Sequence, residues 1–295
     1  MRQTSENVAR PRRAEWAVLA LAALLWLPTL SGRDLWSPDE PRIAQVSEEL
    51  RTAVARDGLG AAWVLQLNGA PYSQKPPLYY WTAAALGTPF GHVDPWAARL
   101  PSALAGLAGL ALTMALARRL FPGVGIRAAP WAGALLALSF RWGDLSSRAS
   151  LDVVLSSLEL AAILAWLRFA RGEWTRQRAA LCLHGALGLA MLVKGPVALL
   201  PLAVIGLTTV WNQRRGSASL AAHDGIFSAR YFALSVGPLL IWGAAVLATT
   251  PAGFFQEAVV ENLWGRFFSG TSHARPIFYY ATQLPLEFLP SALLL

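Results

Sequence analysis

Long runs without a charged residue restrict the fold of this chain more than any other feature. Only 14% of the 295 residues are charged, whereas 55% are hydrophobic. A run of about 20 apolar residues can cross a bilayer as an α-helix. Several runs reach that length with their flanks, so the sequence predicts an all-α polytopic membrane protein. Five runs carry no charge, namely residues 16–30, 100–117, 128–140, 197–210 and 231–248, and two more, 153–167 and 179–193, contain one acid and one histidine.

The composition excludes several other classes of protein. The mean hydropathy of +0.42 is not that of a soluble domain. The net charge of +8 would favour nucleic acid in a soluble protein, but here the arginines lie between apolar runs, where they fix orientation. No nucleic-acid partner is therefore expected. Because Cys182 is the single cysteine, neither a disulfide framework nor a cysteine-based metal site is available.

The distribution of arginines predicts which loops face outward. Arginine and lysine are enriched in cytoplasmic loops. Arginines cluster at the N-terminus and around residues 118–127, 168–178 and 214–230. With these segments cytoplasmic, the first helix is retained and the N-terminus is cytoplasmic. The predicted outer loops are residues 33–95, 141–151, a short turn at Lys194, and residues 250–280.

The segment at residues 77–91 cannot be a full crossing in this topology. It is short for a span, and we interpret it as an interfacial or re-entrant helix. Tyr79, Tyr80 and Trp81 are then expected at the level of the lipid headgroups. Spans are predicted to begin near residues 14, 96, 128, 152, 179, 196, 231 and 281.

Two adjacent carboxylates, Asp39 and Glu40, follow the first apolar run. Ser37, three residues before Glu40, matches a capping box, and Pro38 suits the first helical position. Asp39 would then only favour the helix dipole. The local sequence leaves a helix cap and a functional acid equally favoured. The following helix is predicted to lie flat on the membrane through an apolar face formed by Ile43, Val46, Leu50 and Val54.

Lys75 precedes two prolines, which hold the preceding chain extended. It is therefore a fixed cation in the first outer loop. A lysine that snorkels beside anionic lipid is the alternative interpretation.

Asp152, Ser156 and Glu159 share one face of a helix that enters the membrane from outside. Acids in such a position normally face a bundle interior or a cavity. Asp152 is expected near the outer mouth, with Glu159 deeper.

The last outer loop combines Arg266, His273 and Arg275 with aromatic residues. This combination is typical of a functional loop, and an amphipathic loop on lipid headgroups is the alternative.

Six segments in order resemble the dolichyl-phosphate-mannose protein mannosyltransferase-like superfamily. Within it, the likeness is closest to bacterial 4-amino-4-deoxy-L-arabinose lipid A transferases and their undecaprenyl-phosphate-sugar relatives. The resemblance extends from about residue 33 to 290. The segments are "DLWSPDEPRIAQVSEEL", "NGAPYSQKPPLYYW", "WAARLPSALAGL", "ASLD", "LVKGPVALLPLAV" and "ENLWGRFFSGTSHARPIFYY".

This resemblance implies a GT-C fold, a transmembrane helix bundle with interfacial helices on its outer face. It implies a glycosyltransferase that takes sugar from a polyprenyl-phosphate donor and gives it to a lipid or protein acceptor. Relatives are longer, so residues 1–295 are expected to be the N-terminal catalytic transmembrane part, without the family's C-terminal part. A bacterial cytoplasmic (inner) membrane location with the active site on the periplasmic face is also implied.

The family's functional residues map onto four positions of this chain. The acid of the first loop corresponds to Asp39, the lysine before the prolines to Lys75, the second acid to Asp152 and the loop arginine to Arg266. One departure is Gln74, where many relatives carry Glu. Other residues of the motifs are expected to line the substrate cavity, namely Tyr72, Gln74, His273, Arg275 and Tyr279.

The chemistry of inverting transfer fits these residue types. A base or orienting acid is needed for the acceptor oxygen, and cations are needed for the leaving phosphate. Asp39 and Asp152, with Glu40 beside them, are the candidate acids. Lys75 and Arg266 are the candidate phosphate ligands, and Lys194 is a weaker one. No cofactor or resident metal is required by this chemistry, and assistance by a divalent cation stays open.

Two other classes of function are compatible with the sequence. A lipid transporter or flippase would use the outer acids and bases as a translocation path, but transporters usually place such groups near the midplane of repeated halves. A catalytically inactive membrane scaffold or binding subunit is the second alternative. The expected partners are a polyprenyl-phosphate sugar, a lipid or protein acceptor, and membrane lipids.

Overall fold

A computed structural model describes residues 13–121, 123–214, 225–250, 253–255, 278–289 and 291–294, and its regular structure is almost all helical. The helices are α1 Arg13–Trp26, α2 Asp39–Asp57, α3 Leu78–Gly87, α4 Pro95–Leu120, α5 Gly125–Leu138, α6 Phe140–Ser147, α7 Leu151–Ala170, α8 Arg176–Lys194, α9 Leu200–Arg214, α10 Ala229–Thr249, α11 Gly253–Phe255 and α12 Tyr279–Glu287. Short 3₁₀ helices are Leu27–Leu30, Leu59–Trp63, Thr88–Phe90, Gly195–Leu199 and Ser291–Leu294. The strands β1 Gln66–Leu67 and β2 Ala70–Pro71 form an antiparallel hairpin.

Most of the predicted spans are confirmed as helices. Five described stretches are long and apolar enough to cross a membrane, and α5 is a shorter apolar helix. The span expected near residue 281 is different, because α12 has nine residues and is too short to cross by itself. The five stretches are residues 13–30, 95–120, 151–170, 176–211 and 229–249.

The fourth stretch contains two helices that double back. α8 ends at Lys194, and Gly195 adopts a left-handed φ of 74°. Ile205 of α9 belongs to the same buried cluster as Leu183 and Leu187 of α8. In one straight helix, Leu183 and Ile205 would lie about 33 Å apart. The predicted turn at Lys194 is therefore confirmed.

Helices α4, α7 and α8 form the centre of the bundle, and α10 packs against α8. Glycine permits the closest approach between α8 and α10. A Cβ atom added to Gly188 would lie 2.3 Å from the carbonyl oxygen of Leu234, which is a severe clash. His184 links the same helices, because its Nδ1 lies 2.8 Å from Ser235 Oγ. Small residues at such crossings let membrane helices pack through backbone contact.

Helices α2 and α3 pack on one end of this bundle. The predicted apolar face of α2 exists, but Ile43, Val46 and Leu50 are buried in the protein, so the expectation that this face contacts the membrane was wrong. The same cluster contains Tyr79 and Tyr80 of α3. A buried apolar face and a lipid-facing one have the same periodicity, so the sequence did not separate them.

Helix α3 has ten residues and does not cross, as predicted for an interfacial helix. Its two tyrosines, Tyr79 and Tyr80, are buried inside the protein and are not exposed to lipid headgroups. The Tyr79 hydroxyl donates to the Ala98 carbonyl at 2.9 Å and lies 2.6 Å from Ser102 Oγ. Burial raises the pKa of Tyr79, so this hydroxyl stays neutral and connects α3 to α4.

Candidate active site

The two adjacent carboxylates at the start of α2, Asp39 and Glu40, lie in different environments. The predicted capping box is absent, because α2 starts at Asp39 after Pro38 and no side chain caps it. Asp39 is 68% exposed and pairs with Arg42 one turn later. Glu40 is only 2% exposed. Sequence position alone therefore does not decide the environment of either acid.

Glu40 forms a two-point ion pair with Arg99 of α4. Arg99 Nε donates to Glu40 Oε1 at 2.8 Å, and Arg99 Nη2 donates to Oε2 at 2.9 Å. Arg99 is completely buried. A buried charge is tolerated when it is paired and fully hydrogen-bonded, as in this arrangement.

Backbone groups complete the environment of Glu40. The N–H groups of Trp36 and Ala149 donate to its carboxylate at 2.7 and 2.8 Å. Arg33 Nη1 donates to Oε2 at 3.1 Å. Burial raises the pKa of Glu40, but the hydrogen bonds from Arg99, Trp36 and Ala149 outweigh it and lower the pKa from 4.5 to about 2. A carboxylate with that pKa is a poor general base near neutral pH. Glu40 therefore suits the role of holding neighbouring groups in position, not that of accepting a proton.

Arg99 also fixes the connection between α1 and α2. Its Nη1 donates to the carbonyl oxygens of Leu30 and Arg33 at 2.7 and 2.9 Å. Its Nη2 donates to the Asp34 carbonyl at 2.8 Å. Arg99 and Glu40 together hold the start of α2 against α4 and the segment before α7. Asp39 is thereby presented to solvent from a rigid support.

Sequence reasoning did not single out Arg99. One feature of the sequence could have indicated its importance: Arg99 is a lone arginine in "WAARLPSALAGL", immediately before the uncharged run at residues 100–117. Charged residues at such positions are costly unless they are paired. Its partner lies 59 positions earlier, and no local pattern indicates that pairing.

Asp152 and Lys194 form the second charged pair of the site. Lys194 Nζ, at the end of α8, contacts Asp152 Oδ1 in the first turn of α7. Ser150 caps α7 by accepting the N–H of Asp152 at 3.3 Å. Both charged side chains are partly exposed. Lys194 was predicted only as a weaker phosphate ligand, whereas in the structure it forms a salt bridge with Asp152, the second candidate acid.

Lys75 lies on the segment between β2 and α3, where Pro77 precedes the first helical residue. Gln74 and Lys75 are half-buried. The buried Tyr72 anchors this segment, because its N–H donates to the Leu65 carbonyl at 2.8 Å and its hydroxyl accepts from Tyr80 at 3.3 Å. These contacts restrict the position of the neighbouring lysine.

Glu49 of α2 holds the hairpin that precedes this segment. Its carboxylate accepts the N–H groups of Asn68 and Gly69 at 2.7 and 3.0 Å. Both turn residues have positive φ, as two-residue hairpin turns require. One cluster of apolar residues joins α2, the Tyr72 segment, the start of α7 and the end of α8. The elements that carry Asp39, Lys75, Asp152 and Lys194 therefore form one assembly.

The described part of the chain does not include every residue predicted for the site. Arg266, His273 and Arg275 lie outside the described residues. Tyr279 begins α12 and is half-buried. Within the described part of the chain, no three His, Cys, Asp or Glu side chains are grouped so that they could hold a metal ion.

A cavity of about 400 Å³ lies between α7 and its neighbours. Glu159 lines it, about 10 Å along α7 from Asp152. The Oε1 atom of Glu159 is buried and has no hydrogen-bond partner among the described residues. The other lining residues are mostly apolar and include Trp142, Leu200, Val204 and Phe288.

Comparison with protein families identifies the group to which this chain is related. Residues 15–249 match the family described as dolichyl-phosphate-mannose-protein mannosyltransferase. The chain belongs to this family. The resemblance carried by the six sequence segments is therefore confirmed at the family level.

Curated relatives of this family member are named undecaprenyl phosphate-alpha-4-amino-4-deoxy-L-arabinose arabinosyl transferase. A protein from Pseudomonas aeruginosa (strain UCBPP-PA14) is 30% identical over 95% of this chain and 49% of its own length. One from Pseudomonas fluorescens (strain Pf0-1), with the suffix 1 in its name, is 31% identical over 95% of this chain and 48% of its own length. The chain therefore spans about half the length of these relatives.

Solved structures of a similar protein support the GT-C fold. The crystal structure of ArnT from Cupriavidus metallidurans bound to undecaprenyl phosphate has a TM-score of 0.77 and 25% identity, covering 95% of this chain and 50% of that one. Its apo structure has a TM-score of 0.70 and 27% identity, with 94% and 48% covered. This family member is thus a multi-pass GT-C membrane helix bundle.

Proposed function

We propose that the chain forms the N-terminal catalytic part of a glycosyltransferase that uses a polyprenyl-phosphate-linked sugar. The observation that carries this proposal is the exposed Asp39 carboxylate on a support fixed by the buried Glu40–Arg99 pair. Rigid elements hold catalytic groups in productive geometry better than mobile loops do. The related ArnT structure contains undecaprenyl phosphate, which supports the same class of donor.

The chemical step is an inverting displacement at the anomeric carbon. The acceptor oxygen forms a bond to that carbon, and the bond from the carbon to the phosphate oxygen breaks. The leaving phosphate keeps the electron pair, and the acceptor proton goes to the Asp39 carboxylate. Lys75 and Arg266 bind the phosphate, since cations stabilise the charge that develops on a leaving phosphate.

The salt bridge between Asp152 and Lys194 can open when a substrate phosphate binds. Lys194 binds Asp152 in the structure, and both groups are partly exposed. A phosphate that approaches Lys194 competes with Asp152 for the ammonium group. Asp152 is then released to orient the acceptor hydroxyl. This exchange gives Lys194 a role in phosphate binding and Asp152 a role in acceptor positioning.

The cavity beside Glu159 suits the hydrocarbon part of a lipid substrate. It adjoins α7 below Asp152 and is lined mainly by apolar side chains. A polyprenyl or acyl chain can occupy such a cavity while its polar end stays near Asp152. The acceptor is a lipid or a protein, and the names of the relatives favour 4-amino-4-deoxy-L-arabinose carried by undecaprenyl phosphate as the donor. The arginine distribution supports a site on the periplasmic face of the bacterial cytoplasmic membrane.

A reconstituted transfer assay tests the proposal. The chain is incorporated into lipid nanodiscs with undecaprenyl phosphate-4-amino-4-deoxy-L-arabinose and lipid A, and the lipids are analysed by mass spectrometry. Formation of a glycosylated lipid that requires the chain supports the proposal. Donor binding without product, both with lipid A and with envelope proteins offered as the acceptor, contradicts it and favours an inactive binding subunit.

A further inference from the structure

A group of arginines and aromatic rings lies at the end of the bundle remote from Asp152. Arg168 follows Asp152 by 16 positions on α7, which corresponds to about 24 Å. Trp174, between α7 and α8, packs in one apolar cluster with Ile226 and Tyr231. We define the aromatic–arginine cluster as Arg168, Trp174, Arg178, Arg230 and Tyr231.

Each arginine of the aromatic–arginine cluster lies over an aromatic ring. The guanidinium carbons of Arg168 and Arg178 are 4.6 and 4.4 Å from the centroid of the Trp174 ring. That of Arg230 is 4.6 Å from the centroid of the Tyr231 ring. Stacking on an aromatic face restricts the orientation of a planar guanidinium group. Three positive charges are therefore held in one region.

Acidic side chains nearby pair with other arginines. Glu15 pairs with Arg118, and Glu173 binds Arg119 through contacts of 2.8 and 3.0 Å. Across the described ranges, no salt bridge includes an arginine of the aromatic–arginine cluster. The buried Nε atom of Arg168 also has no acceptor there. Glu173 lies close enough to act on Arg168 electrostatically, but no salt bridge in the described part of the chain neutralises the cluster.

We propose that the aromatic–arginine cluster binds the phosphate headgroup of an anionic phospholipid. The cluster lies at the ends of spanning helices, where tryptophan and arginine meet the headgroup region. Guanidinium groups bind phosphate oxygens in pairs through charge-assisted hydrogen bonds.

Apolar surface beside the cluster favours a lipid as the source of the phosphate. Leu181, Phe227 and Phe232 are exposed and lie within four positions of Arg178 or Arg230 along the chain. Acyl chains can cover these side chains, whereas inorganic phosphate cannot. The site is separate from Asp39 and Lys75, so the proposal does not depend on the transferase activity.

Native mass spectrometry tests this site. The chain in neutral detergent is titrated with phosphatidylglycerol, phosphatidylcholine and inorganic phosphate. The test variant carries Arg178→Gln and Arg230→Gln, which change two exposed arginines of the cluster. The control is Arg56→Gln, an exposed arginine of α2 that pairs with Asp57.

Phosphatidylglycerol is expected to bind the unaltered chain and the control at least ten-fold more tightly than phosphatidylcholine does. The double variant is expected to bind phosphatidylglycerol at least ten-fold more weakly than the control. If the double variant does not fold, Arg178→Lys with Arg230→Lys retains the charge and should weaken binding about three-fold, because the planar donor pair is lost. Equal affinity of the folded variants and the control would overturn the proposal. Inorganic phosphate that binds as tightly as the lipid would also overturn it.

Discussion

Glu40 and Arg99 are joined by two hydrogen bonds of 2.8 and 2.9 Å inside the protein, 59 positions apart in the chain. This pair connects the start of α2 with α4, and Ala149 extends the connection toward α7. The neighbouring Asp39 remains exposed. The two adjacent acids therefore have different roles: Glu40 holds the backbone in place, whereas Asp39 faces the solvent.

Removing the charge of Glu40 should destabilise the fold. Glu40→Gln leaves the buried Arg99 guanidinium without its counter-charge, and breaking such a pair typically costs about 3–5 kcal/mol. The thermal midpoint of the detergent-solubilised chain should therefore fall by several degrees. Asp57→Asn is the matched control on the same helix, since its exposed carboxylate pairs with the neighbouring, exposed Arg56. Equal midpoints for the two variants would contradict the structural role of Glu40.

Acid should weaken the fold through the same carboxylate. The pKa of Glu40 is about 2 in the folded chain, below its usual 4.5. Its contribution to stability is therefore present above about pH 4.5 and is lost as the pH falls toward 2. A shift of this size corresponds to about 3 kcal/mol. Thermal midpoints measured from pH 6 to pH 3 should fall more steeply for the unaltered chain than for Glu40→Gln, and parallel curves would be inconsistent with the lowered pKa.

Lys75→Ala should weaken binding of undecaprenyl phosphate without a large effect on folding. Loss of one charge-assisted phosphate contact costs about 1.5–3 kcal/mol, so the affinity should fall about ten-fold or more. Arg51→Ala is a control cation on α2 that pairs with Glu48. Binding by native mass spectrometry decides the assignment, and unchanged affinity of a folded Lys75→Ala chain would exclude Lys75 as a phosphate ligand.

The predicted topology places residues 33–95 on the outer (periplasmic) side of the cytoplasmic membrane. A cysteine at His92 tests it in a Cys182→Ser background, because His92 is exposed and avoids the left-handed φ of Gly91. An impermeant maleimide added to intact cells with a permeable outer membrane should label this cysteine. Labelling that requires disruption of the cytoplasmic membrane would reverse the assigned face.

The sequence predicted the helical class, most span positions and the turn at Lys194, because these depend on local composition and hydrophobic runs. It did not predict the pairing of Glu40 with Arg99 or of Lys194 with Asp152. Both contacts join residues far apart in the chain, so they arise only when helices pack. The sequence also assigned the apolar face of α2 to lipid, since a face that packs on protein has the same pattern. The roles of Asp39, Lys75, Asp152 and Arg266 remain predictions.

The turnover of Asp39→Asn in the nanodisc transfer assay decides whether Asp39 is the catalytic base. The substitution preserves the size of an exposed side chain and removes its basicity, so turnover should fall by about 10² or more. The thermal midpoint should stay within about 1 °C, because surface substitutions usually change stability little. Arg42→Gln removes the partner of Asp39 but not the carboxylate, and it should retain most activity. We expect a folded, inactive Asp39→Asn chain that still binds the donor, and a folded Asp39→Asn chain with normal turnover would contradict the catalytic role of Asp39.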